Sequence, residues 1–137
     1  MVRREVIHKR LRHLDRYLHI LQNAQKYTFE QFIADPERYG SVERFLQLAI
    51  ECLSDMGNHV IAYQELGVVD AYSDIPQLLY EAGRIGIELR EVWIRMIGFR
   101  NILVHGYLDI DQEIVYKVLT ENLQDIQSLR AVFAQFL

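Results

Sequence analysis

Residues 41–64 read SVERFLQLAIECLSDMGNHVIAYQ, and this stretch decides the fold class. Phe45, Ala49, Cys52, Met56 and Val60 recur three or four residues apart, the spacing of one helical face, and Leu46, Ile50, Leu53 and Ile61 widen that face. A helix apolar over so much of its circumference belongs at the centre of a bundle. Glu51, Asp55, Asn58 and His59 interrupt the run and exclude a simple membrane span.

Moving outward towards the N-terminus, residues 2–26 form a long amphipathic pattern. Ile7, Leu11, Leu14, Leu18 and Leu21 make a single stripe with basic residues between them. Thr28-Phe29-Glu30-Gln31 has the form of a capping box opening a short helix. The Asp35-Pro36 step should close it, because a residue before proline avoids helical geometry.

Towards the C-terminus, Gly67 is the expected stop of the central helix. Residues 68–73 read as a connection, and Asp74 is the expected cap of a short helix through Pro76. Gly83 and Gly86 flank a break. A further helix is expected from Ile87 to His105, with Leu89, Val92, Trp93, Met96, Ile97, Leu103 and Val104 inward and Gly106 as its stop. Asp109 or Asp111 then caps a last helix that continues to the C-terminus. The expectation is an all-α, up-and-down bundle of four main helices plus short helices, with residues 1–137 as one domain.

Composition agrees. A chain of 137 residues fits one domain, and 7 Gly with 2 Pro is low for a loop-rich or all-β protein. Cys52 is the single cysteine, so no internal disulfide or multi-cysteine zinc site can form. No apolar signal region follows the charged residues 1–5, and a cytoplasmic protein is expected. Net charge is −4, yet residues 1–26 hold seven Lys or Arg against two acids. That first helix can offer RNA a basic landing site, or simply be a solvated face that balances the acidic remainder.

The chemistry-bearing stretch is Gly98-Phe99-Arg100-Asn101-Ile102-Leu103-Val104-His105-Gly106-Tyr107. Polar groups crowd the end of an otherwise apolar helix. Asn101 and His105 are four apart and share a face; Arg100 sits about 100° to one side of Asn101 with a side chain long enough to reach across. Internal cleavage of RNA takes a proton from a 2′-hydroxyl and gives one to a 5′-oxygen, and histidine does either near neutral pH. Charge grows on the phosphoryl oxygens, which suits a permanently charged, forked guanidinium. Asn101 can hold the imidazole in one tautomer or donate to phosphate. No metal or other cofactor is called for. The plain alternative is an Arg and a His that satisfy helix-end carbonyls and the dipole. Asp55 is a candidate partner for Arg100, either aiming it or simply pairing with it in the bundle core.

The segment resembles the R-x-x-x-x-H-x-Y signature of the HepT-like branch of the HEPN superfamily, with Arg100, His105 and Tyr107 at the motif positions. The resemblance continues through Leu108-Asp109-Ile110-Asp111, through the helix bearing Ala49-Ile50-Glu51, Asp55 and Asn58-His59, and into the basic first helix. It implies a metal-independent endoribonuclease toxin whose catalytic residues are Arg100 and His105, working as a homodimer with two Arg–His pairs facing across one cleft. It also implies a partner, a minimal nucleotidyltransferase antitoxin of the MntA kind, that transfers AMP to Tyr107. Bulk and negative charge placed two residues from His105 would exclude RNA. The competing readings are a non-catalytic HEPN module that binds a nucleotidyltransferase or a nucleotide, and an unrelated helical interaction protein.

Overall fold

The computed structural model describes residues 2–106 and 108–137. Among them the chain forms seven helices and no strand: α1 (Arg4–Ala24), α2 (Phe29–Ile33), α3 (Pro36–Gln64), α4 (Asp74–Glu81), α5 (Ile87–His105), α6 (Gln112–Glu121) and α7 (Leu123–Ala134). α3 is the central helix, packed against every other one. The expected all-α bundle is the observed architecture.

The amphipathic stripe places α1. Ile7, Leu11, Leu14, Leu18 and Leu21 are all buried, and the charged residues between them face out. α1 runs antiparallel to α3: the backbone N–H of Arg3 donates to His59, the Cys52 thiol to the Arg10 carbonyl, and Tyr17 lies against Phe45. The capping box at α2 forms as expected. Thr28 Oγ1 accepts the Gln31 N–H at 3.2 Å and Gln31 Oε1 accepts the Thr28 N–H at 2.9 Å.

Four expectations are corrected. The central helix begins at Pro36 rather than Ser41, because Asp35 accepts the Glu37 N–H and caps it while Pro36 takes the first helical position. It ends at Gln64 as expected, but the stop is Glu65 and not Gly67: Glu65 adopts the left-handed conformation (φ 54°) and its N–H bonds the Ile61 carbonyl. Gly67 serves the following turn instead, with φ 146° and a Leu78 methyl 2.6 Å from where a Cβ would stand. Asp74 is inside α4, and its carboxylate accepts the N–H groups of Asp70 and Ala71, both at 3.0 Å, tying down the connection rather than capping the helix. The expected last helix is two. It starts at its Asp111 cap but breaks at Asn122, whose amide side chain bonds Asp125, a local hydrogen bond of the kind that competes with the helix ladder.

α3 and α5 are antiparallel neighbours in a register that places Gly57 against Trp93 and Glu51 beside Arg100. Trp93 is fully buried, and its ring meets Phe133 of α7 edge-on at 5.8 Å. This packing anchors the N-terminal half of α5 and leaves its last turns at the rim of the bundle. No helix among the described residues is long and apolar enough to cross a membrane.

Candidate functional site

The last two turns of α5 carry three of the site residues expected from the sequence. Leu103 is buried beneath them and fixes the helix against the core, while Asn101, Ile102 and His105 are exposed. The helix ends at Gly106, whose N–H donates to the Ile102 carbonyl at 2.8 Å. His105 therefore stands in the final turn, beside carbonyls with no helical partners.

Arg100 is held on three sides. Its Nε donates to Glu51 Oε2 of α3 at 3.3 Å, and the two side chains are only 16% and 26% exposed. Its Nη1 donates to Asn101 Oδ1 at 3.2 Å. Its guanidinium carbon lies 4.9 Å from the centre of the Tyr72 ring, from the connection before α4. Glu51 Oε2 in turn accepts from Gln47 Nε2 at 2.9 Å.

Asp55 does not meet Arg100. It pairs with Arg10 of α1 at 3.4 Å. The register explains why: Arg100 lies level with Glu51, and Asp55 is four residues further along α3, about 6 Å. Burial raises the Asp55 carboxyl above its ordinary pKa; Arg10 opposes that and Glu51 adds to it. Asn101 makes no hydrogen bond to the imidazole among the described residues; its side-chain oxygen accepts from Arg100. Tyr107 lies outside the described residues.

Arg100 and His105 are five residues apart, about 140° around the helix and about 7.5 Å along it. Within one chain they share an end of α5 but not a face. A phosphate docked on the Arg100 fork would need a proton-transfer group from another direction.

Two residues at the site were missed in the sequence. Glu51 was visible as a polar interruption, but choosing it over Asp55 required the α3–α5 register. Tyr72 sits in a connection, where nothing in the local pattern marks it. Across α3, a groove of about 300 Å³ is lined by Arg10, His13, Tyr17, Leu48, Glu51 and Asp55. Lys9, Arg12 and Arg16 of α1 are exposed and form no ion pair among the described residues. No three His, Cys, Asp or Glu side chains among the described residues are grouped so as to hold a metal ion.

Known proteins share this architecture. Residues 7–132 match the family model described as ribonuclease HepT-like. The chain is 33% identical over 97 residues, 71% of its own length and 73% of the relative's, to the mRNA nuclease HepT of Shewanella oneidensis. It is 29% identical over 122 residues, 87% of its length and 81% of the relative's, to the tRNA nuclease HepT of Aphanizomenon flos-aquae. The solved structure of a tri-AMPylated Shewanella oneidensis HEPN toxin in complex with an MNT antitoxin superposes with a TM-score of 0.89 at 27% identity, covering 97% of this chain and 99% of that one. With the helical frame, the Arg100–His105 helix end and a family match over nearly the whole chain in agreement, the protein belongs to the ribonuclease HepT-like family.

Proposed function

We propose that the protein is a metal-independent endoribonuclease, the toxin of a toxin–antitoxin pair, acting in the cytoplasm through Arg100 and His105 of a homodimer. The observation that carries this reading is the end of α5. It carries an exposed histidine and, five residues earlier on a different side of the helix, a half-buried, oriented arginine, in a chain whose relatives are named as mRNA and tRNA nucleases.

The chemistry follows from those two groups. An RNA 2′-hydroxyl attacks the adjacent phosphorus; the O2′–P bond forms, the P–O5′ bond breaks, and a 2′,3′-cyclic phosphate and a 5′-hydroxyl result. One group takes the proton from O2′ and another delivers one to O5′, a pair of roles that neutral and protonated imidazole fill. Arg100 stabilises the charge gathering on the non-bridging oxygens through paired N–H donors. One chain supplies one such histidine at this helix end, so two chains with their α5 ends facing each other supply both proton-transfer groups. The homodimer follows from that need.

Regulation follows the solved relative, a tri-AMPylated toxin held by its antitoxin. In this chain the acceptor would be Tyr107, and the partner a nucleotidyltransferase of the MntA kind. An AMP phosphodiester two residues from His105 brings negative charge and bulk to the place where substrate phosphate binds.

The test is RNA cleavage by the purified protein with and without chelator, before and after incubation with the partner and ATP. Cleavage that survives chelation, and that stops as intact mass rises by AMP units on the wild type but not on Tyr107→Phe, is the expected result. Cleavage abolished by chelator, or a strictly monomeric protein with full activity, would contradict the mechanism. A Tyr107→Phe variant still neutralised and still carrying AMP would contradict the acceptor assignment.

A further inference from the structure

We infer that Glu51 is a positioning residue for Arg100, with Tyr72 as the floor on which the guanidinium rests. The inference deepens the catalytic reading above and rests on it. A free arginine side chain has four rotatable bonds and samples many orientations, whereas a phosphate-binding fork is useful only when aimed. Here each way of turning is blocked by a separate group. Glu51 takes the Nε edge at 3.3 Å, Asn101 takes Nη1 at 3.2 Å, and the Tyr72 ring supports one face at 4.9 Å. Among the described residues Nη2 makes no hydrogen bond, so the Nη side of the fork is the part left to engage substrate.

Glu51 is itself held, because Gln47 donates to the same oxygen that Arg100 uses, at 2.9 Å. Gln47, Glu51 and Arg100 thus form a chain across two helices. Leu46, Ala49 and Ile50 beside Glu51 and Leu103 beside Arg100 are core residues, so the helices that carry this chain are fixed by packing. Tyr72 differs from them in being 41% exposed. An exposed aromatic gains little from burial, and its contact with the arginine is a cation–π one.

The carboxylate has a second consequence. It balances the arginine's charge in the resting protein, so it weakens ground-state attraction for phosphate while fixing the direction of the fork. Removing the charge but keeping the shape should then separate binding from turnover. A salt bridge with a purely structural role would not.

The experiment compares Glu51→Gln, Tyr72→Leu and Tyr72→Phe with the wild type on one RNA substrate, reading kcat, KM and the thermal midpoint. For Glu51→Gln we expect kcat to fall tenfold or more, in line with the up to about hundredfold loss that a misplacement of about 1 Å can cause. KM should stay level or fall, and KM should become more sensitive to salt because the site gains net positive charge. Tyr72→Leu should lose several-fold in kcat, and Tyr72→Phe, which keeps the ring, should restore it. A folded Glu51→Gln enzyme with unchanged kcat overturns the inference, as does one whose KM rises by the same factor as kcat falls. If Glu51→Gln does not fold, the Tyr72 pair decides: equal kcat for the leucine and phenylalanine variants overturns it. Arg100→Ala run in parallel separates this inference from its premise. A fully active Arg100→Ala protein removes the catalytic reading and the positioning role together, whereas an inactive one beside an unaffected Glu51→Gln removes the positioning role alone.

Discussion

The two ends of the α3–α5 seam are built from the same helices and do opposite jobs. At one end Gly57 lets α3 approach so closely that an added Cβ would stand 2.5 Å from Ile75 Cγ2 and 3.0 Å from Trp93 Cη2. Trp93, Ile75 and Leu79 are essentially inaccessible there. At the other end the seam opens onto Glu51, Arg100, Asn101, Tyr72 and the exposed His105. The first end holds α5 by burial. The second is released from packing, so polar groups can be aimed outward without leaving buried charges unpaired. A site confined to the last turns of an otherwise buried helix gains a rigid base and keeps access for a long polymer.

That contrast can be broken most forcefully at the dry end. Trp93→Ala should cost about 3–5 kcal/mol of stability, the range for removing a large buried aromatic, and denaturant unfolding would measure it. A loss under about 1 kcal/mol would mean the packed end does not anchor the bundle. Gly57→Ala should be smaller, about 1–3 kcal/mol, as an overpacked methyl forces Ile75 or the Trp93 ring to shift. A variant as stable as wild type would show that the seam has slack.

Much of this arrangement was legible in the sequence, and the failures have a common cause. The α1 stripe, the Thr28–Gln31 box and the α5 limits at Ile87 and His105 rest on local patterns, and the structure reproduces them. The start of α3 is ambiguous in the sequence because Asp35-Pro36 can close the preceding segment and is equally a cap and first-turn pair, the role it takes in the structure. The break at Asn122 was hidden by an apolar stripe that continues through it from Val115 to Phe133. The site split the same way. Arg100, Asn101 and His105 lie in one local motif and could be read together. The partner of Arg100 depends on how α3 slides against α5, and Glu51 and Asp55, one turn apart on one face, look equivalent until that register is known.

The smallest expected effect lies at the far end of α3. His59 Nε2 accepts the backbone N–H of Arg3 at 3.2 Å, which requires that nitrogen to be unprotonated. Burial, assisted by the Arg3 charge and opposed by Glu5, lowers the His59 pKa from its ordinary value. The unfolded chain then binds the extra proton first. The contribution of His59 is complete above the ordinary histidine pKa, ~6.5, and is lost as pH falls from there through the lowered folded value. The protection of the Arg3 amide, its exchange relative to an unstructured chain at the same pH, should drop as pH falls through that window in the wild type and show no such step in His59→Gln. An unaltered pH profile in the variant would sever the link between His59 and this clasp.

If the exposed end of α5 supplies the chemistry without supporting the fold, His105→Ala separates the two. Cleavage rate and thermal midpoint should be measured on one preparation, beside the wild type and in the presence of chelator. Cleavage should fall by on the order of a hundredfold or more, the loss typical of a proton-transfer group, while the midpoint moves by no more than a few degrees. A folded His105→Ala protein that cuts RNA at the wild-type rate would contradict the catalytic role of His105.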